Sequence, residues 1–165
     1  MTLHLINKTK EDIQAELLYI KQMEELLKEV DFVLEKIEDA YISERYCFMA
    51  VNPKTNQEES VPVKRALHFL QYACGEAFPA IEPPKQFQQE HELCIYAFDC
   101  LQTATRLMGF YFHNESFATD QNEQKICFQM EMYNDTIAIF LERIEPTLDK
   151  LMQIYSMDAQ KEAED

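Results

Sequence analysis

The chain has 165 residues, of which 47% are hydrophobic and 27% charged, and its net charge is −15. This length suits one domain, and a surface of this sign repels phosphate backbones, so we expect no direct binding of nucleic acid. No stretch approaches the roughly 20 apolar residues that a membrane span requires. Met1 to Lys10 lacks the apolar run of a secretory leader. We therefore expect a cytoplasmic protein without a membrane span.

Glycine and cysteine usage both fit a reduced, helical protein. The chain has only two glycines, Gly75 and Gly109, so most of it can be helical without a large cost in backbone entropy. Its five cysteines are an odd number and show no paired spacing such as C-x-x-C. We expect them to be reduced, buried thiols rather than members of disulfides.

The first predicted helix begins near Thr9, where Thr9 and Asp12 resemble a capping box. Apolar residues at spacings of three and four continue from Ile13 to Tyr41, which predicts a long helix. It is expected either to break near Ser43 or to run on to about residue 49. Residues 51–60 are polar and aperiodic with an Asn-Pro turn signal, so they are predicted to be the longest loop.

The next two helices are separated by prolines. A short second helix is predicted from about Pro62 to Phe78, because Pro79, Pro83 and Pro84 prevent its continuation. The third, from about Pro84 to His113, has two apolar lines and should be buried on most of its circumference. The first line is Phe87, His91, Cys94, Phe98, Leu101, Thr105, Met108 and Phe112, and the second is Leu93, Ala97, Cys100, Ala104, Leu107 and Tyr111.

The fourth predicted helix begins at about Asp120 and includes Pro146, which should bend it. Four amphipathic segments with short connections predict an all-α fold, a four-helix up-down antiparallel bundle with long first and last helices and a short second helix. Residues 1–157 would form this single domain, and residues 158–165 an acidic, frayed tail. Because the second helix cannot cover the long ones, either these project from the bundle or a second copy of the chain covers them.

Patterns for catalysis or metal binding are weak. The Glu-x-x-His motif of di-iron carboxylate bundles is absent at His68, His91 and His113. His91 and Cys94 stand three apart on one line and could supply two ligands to zinc or haem, but two further ligands would have to come from other helices. We interpret them as core residues, and we predict no catalytic residue, no metal and no cofactor.

The leading functional hypothesis is a non-enzymatic protein that mediates protein–protein interaction. Carboxylates follow one outer face of the fourth helix at spacings of three and four, and neighbouring ones repel each other. This acidic face either solvates the helix or docks a basic protein partner. The predicted contacts are Glu131, Asp135, Glu142 and Asp149.

Self-association is also expected. The residues from Phe110 to Phe112 are consecutive aromatics that cannot all enter one core, and with the doubly apolar third helix they suggest a homodimer. The alternative hypothesis is a bundle that binds a small apolar ligand or a lipid in an internal pocket. Its predicted lining is Met108, Phe112, Met130, Tyr133 and Phe140.

Overall fold

A computed structural model describes residues 9–43 and 45–164, with side chains described up to residue 157. These residues are mostly helical and form four α-helices and one two-stranded sheet. The helices are α1 (Lys10–Ile42), α2 (Val63–Tyr72), α3 (Gln88–His113) and α4 (Asp120–Glu164), and the strands are β1 (Cys47–Val51) and β2 (Glu58–Pro62). The structure is mostly helical, as predicted, but it also contains a small two-stranded sheet that the all-α prediction did not include.

Helix α1 begins and ends with satisfied backbone groups. The Thr9 hydroxyl accepts a hydrogen bond from the Asp12 amide, and the Asp12 carboxylate accepts one from the Thr9 amide, which confirms the predicted capping box. At the other end the Ser43 amide donates to the Asp39 carbonyl, and the backbone turns to an extended conformation. The predicted break near Ser43 is therefore confirmed, and the alternative of a helix running to residue 49 is wrong.

The 51–60 segment, predicted as a loop, is largely a β-hairpin. β1 and β2 pair antiparallel with Cys47 opposite Pro62 and Val51 opposite Glu58. Asn56 takes a left-handed conformation in the turn, which asparagine tolerates better than most residues. Sequence reasoning missed the pair because β2 is almost wholly exposed and therefore shows no alternation of apolar and polar residues.

Helix α2 is shorter than predicted because its last turns widen into a π-helix, Ala73–Ala77. After it, the Phe78 ring stacks on Phe98 of α3 with centroids 4.2 Å apart, and it also stacks on His91 at 5.0 Å. A short 3-10 turn, Lys85–Phe87, then leads into α3. The proline-bounded segment thus anchors the chain against the first half of α3.

Helix α3 is largely buried along its two apolar lines, as their spacing predicts. Every member of the first line from Phe87 to Met108 is buried, and Phe112 is half-buried. α4 packs mainly against α3. Phe110 contacts Phe117 near the connection, and Phe98 contacts Tyr133 farther away, as in an antiparallel helical hairpin.

The structure describes the two ends of the chain only in part. The backbone of residues 158–164 continues α4, but their side chains, together with residues 1–8 and 165, lie outside the described part, so the frayed tail stays a prediction.

No helix in the described ranges combines the length and the apolar character that crossing a membrane demands. The cytoplasmic location stays a prediction.

Two tyrosine hydroxyls are buried in the core in contrasting environments. The Tyr19 hydroxyl is hydrogen-bonded to Nδ1 of His91 at 2.8 Å. The Tyr133 hydroxyl has no hydrogen-bond partner among the residues that the structure describes. Both side chains are 1% exposed. A buried polar group without a partner costs about 1–3 kcal/mol, so the unpaired hydroxyl of Tyr133 lowers the stability of the core.

We expect Tyr19→Phe to lower the free energy of unfolding by about 1–3 kcal/mol, because it leaves the buried imidazole without its hydrogen bond. Tyr133→Phe removes only an unpaired hydroxyl and should leave that free energy unchanged or raise it. Urea denaturation followed by circular dichroism measures both variants. Equal losses of stability in the two would contradict this assignment of partners.

Candidate functional site: a cavity between α1, α3 and α4

A cavity of about 560 Å³ lies between the second half of α1, the end of α3 and the start of α4. It exists because α4 packs closely on α3 and only lightly on α1, which leaves a cleft between the two long helices. From α1 the lining residues are Asp31, Leu34, Glu35, Ile37, Glu38 and Tyr41. From α3 and α4 they are Met108, Tyr111, Phe112, Glu123, Ile126, Cys127, Met130 and Asn134.

Most of these side chains are apolar or aromatic, and several are only half-buried. Leu34, Ile126 and Met130 are half-buried, so they remain accessible from the cleft. Methionine is unbranched and polarisable, and it adapts to ligands of different shape. The cavity therefore offers an apolar, deformable surface of a size typical for small-molecule sites.

The charged lining residues are all acidic. Asp31, Glu35 and Glu38 follow one another along α1, and Glu123 stands on α4. Lysine, arginine and histidine do not occur among the described residues that line the cavity. Burial, and secondarily the neighbouring Glu35 carboxylate, raise the pKa of Asp31. The cavity thus has a negative potential that no lining cation offsets.

One hydrogen bond joins α1 to α4 at the cavity. The Tyr41 hydroxyl donates to Oε1 of Glu123 at 2.6 Å, and the Tyr41 ring lies 6.1 Å from that of Tyr111, measured between centroids. The bond to the carboxylate is the main cause that raises the pKa of the Tyr41 phenol, because it stabilises the protonated form. Tyr41 thus links the last turn of α1 to the first turn of α4.

The structure brings together three of the five residues predicted to line an apolar pocket. Met108, Phe112 and Met130 line the cavity, whereas Tyr133 and Phe140 are buried in the core and do not. Sequence reasoning missed the whole contribution of α1. A signal was present there, since acidic residues at 31, 35 and 38 run at spacings of four and three toward an aromatic residue at 41.

The four carboxylates predicted to bind a partner are all exposed on α4 and lie outside this cavity. Glu131 borders an adjoining surface depression that shares Glu123 and Cys127 with the cavity and also includes Phe128. Asp135, Glu142 and Asp149 continue along the helix away from it. Their role in binding stays a prediction.

His91 and Cys94, the weak candidates for metal ligands, are both buried. His91 lies beside Cys74 and Asp99 at a smaller hollow of about 320 Å³. Burial, and secondarily Asp99, raise the pKa of Cys74 to about 12, so this thiol stays protonated and is a poor nucleophile. Among the side chains that the structure describes, no group of three or more His, Cys, Asp or Glu could hold a metal ion.

Burial lowers the pKa of His91, so the folded state favours the neutral imidazole. An unfolded histidine has a pKa of about 6.5, so this contribution to stability is complete above about pH 6.5 and is lost as the pH falls toward the lower folded value. We expect the urea midpoint of the wild type to fall more between about pH 7.5 and about pH 5.5 than that of His91→Gln, which cannot titrate.

The matched control is His68→Gln, because His68 is exposed on α2. It should keep the pH dependence of the wild type. A His91→Gln midpoint that falls as steeply with pH as that of the wild type would show that other groups cause the effect.

Comparison with known proteins yields no relative, since no family model, no curated protein and no solved structure matches this chain.

Proposed function

We propose that this protein is a binding protein whose ligand site is the cavity between α1, α3 and α4, and that the ligand is a small molecule with a large apolar part. The observation that carries this proposal is a cavity of about 560 Å³ with an apolar lining that reaches the surface. Small-molecule sites typically measure about 300–1,000 Å³ and combine mainly apolar walls with a few polar groups.

The scaffold we propose for this site is the predicted four-helix up-down bundle. The antiparallel contacts of α3 with α4, and the bond from Tyr41 to Glu123 between α1 and α4, support this arrangement. With only 10 residues, α2 packs on α1 and α3 and does not line the cavity. The cleft between the long helices therefore stays available to a ligand.

Filling the cavity should abolish binding of a neutral apolar dye. We expect Nile red to bind the wild type at one saturable site with increased fluorescence, and Ile126→Trp to remove this binding because the indole occupies the cleft. Ile139→Trp is the matched control, since Ile139 is exposed on the same helix outside the cavity. The chain has no tryptophan of its own, so each variant also carries one intrinsic reporter of its environment.

Two results would contradict the proposed site. One is saturable dye binding that Ile126→Trp leaves intact. The other is an equal loss of binding in both tryptophan variants, with both still folded by circular dichroism.

A second candidate function is docking of a basic protein partner on the acidic face of α4, favoured by the exposure of all four of its predicted contact residues. We also propose the predicted homodimer, as a contact between two copies of this chain. Phe110 is the member of the aromatic trio that is open to a dimer contact, at 53% exposure, whereas Tyr111 and Phe112 are half-buried. Long-range attraction between this face and a basic surface would speed association.

For this candidate we expect a variant with lysine at positions 131, 135, 142 and 149 to lose partners that the wild type captures from a native extract. A matched variant with lysine at four exposed acidic positions of α1, 11, 25, 29 and 39, makes the same change in net charge. Quantitative mass spectrometry compares the captured proteins. Identical sets of partners for all three proteins would leave the acidic face with a solubilising role only.

A further inference from the structure

The charge of the cavity specifies the ligand more closely than its volume does. We infer that the ligand is an organic cation, with an amine or quaternary ammonium group attached to an apolar body. This inference rests on the proposed function, because it concerns the occupant of the same cavity.

The first argument is the arrangement of carboxylates. Asp31, Glu35 and Glu38 lie on successive turns of α1, where like charges at spacings of three and four repel each other. Partial desolvation of Asp31, whose side chain is exposed, and its closeness to Glu35 make the negative form of this carboxyl harder to maintain. A cation held among these groups relieves the repulsion, whereas an anion adds to it and a neutral molecule leaves it unchanged.

The second argument is the aromatic wall. Tyr41, Tyr111 and Phe112 all line the cavity, with Tyr111 6.1 Å from Tyr41 and 5.7 Å from Phe112 between ring centroids. The face of an aromatic ring attracts a cation, and quaternary ammonium groups are commonly bound by clustered rings. The bond from Tyr41 to Glu123 also brings a carboxylate to this aromatic wall.

The third argument concerns the rest of the ligand. Leu34, Ile37, Met108 and Met130 provide apolar contacts within the same cavity. A small inorganic cation would leave these side chains unused, and a sugar or a polyol would leave its hydroxyl groups without partners against them. An alkyl or aryl body with one cationic head matches both parts of the lining.

Three probes test the inference: phenylbutylamine, phenylbutanol and phenylbutyrate. Each carries a phenyl group on a four-carbon chain, and they differ in the polar group at the other end. Each is titrated into protein with ¹³C-labelled methionine methyl groups. Met108 and Met130 report on the cavity, and Met23, buried in the core away from it, is the internal control. We expect the amine to bind roughly fivefold to hundredfold more tightly than the alcohol at low salt, with the butyrate weakest, since each carboxylate adds a modest attraction.

Variants then connect the preference to named carboxylates. In a Glu35→Gln, Glu38→Gln double variant we expect phenylbutylamine to bind roughly twofold to tenfold more weakly and phenylbutanol to bind as before. Glu25→Gln, an exposed position on the same helix outside the cavity, should change neither. Added salt should weaken binding of the amine only, because mobile ions screen the attraction.

The outcomes separate the two proposals. If phenylbutanol or phenylbutyrate binds as tightly as the amine, with shifts at Met108 and Met130, the ligand site stands and the inference of a cation is overturned. If the double variant binds the amine with wild-type affinity, the inference is also overturned. If no probe moves either methionine signal, the proposed function fails, and the inference fails with it.

Discussion

Helix α3 is the element on which the other parts of the structure depend. α2 and α4 pack directly on it, and α1 reaches it through the contacts of Tyr19 with His91 and of Tyr41 with Tyr111. An element buried on so many sides has to be apolar around most of its circumference. α4 packs closely on α3 and only lightly on α1. The cleft between the two long helices is a consequence of that packing.

The molecule has two regions of different character. Around the first half of α3, Phe78 stacks on Phe98 and the Tyr19 hydroxyl is bonded to His91, and the hollow beside these residues is the smaller one of about 320 Å³. Near the end of α3, the helices α1, α3 and α4 surround the cavity, whose lining includes acidic residues. Close packing supplies most of the stability of a domain, whereas binding sites require accessible surface. On the proposed function, the first half of α3 mainly stabilises the fold and the second half lines the ligand site.

Much of this architecture could be predicted from periodicity alone. The structure confirms the capping box at Thr9, and of the two ends that the sequence allows for the first helix it shows the one near Ser43. It also buries the first apolar line of α3 from Phe87 to Met108. The β-hairpin could not be predicted in this way, because every residue of β1 is apolar and β2 is almost wholly exposed, so neither strand shows alternation in its sequence. The π-helix after Tyr72 likewise has no signature in the pattern of apolar residues.

The lining of the cavity was only partly predictable, because apolar spacing does not report the distance between helices. Apolar spacing identifies which residues face inward, and it correctly groups Met108 and Met130 with Tyr133 and Phe140 on that basis. It does not tell which inward residues meet a neighbour and which face a gap, since this depends on the distance between helices. Only the second distinction separates Met130, which lines the cavity, from Tyr133, which is enclosed in the core.

The acidic lining of the cavity also acts on charged molecules before they touch the protein. The whole molecule carries a net charge of −15, and the cleft adds a local concentration of the same sign. Such a field extends roughly one Debye length into solution, about 8 Å at physiological ionic strength. A positively charged molecule that diffuses past is drawn toward the opening, so its encounter rate exceeds that of a neutral molecule of equal size. For the organic cation that we propose as ligand, the rate of association would therefore depend on ionic strength even where the closest contacts are apolar.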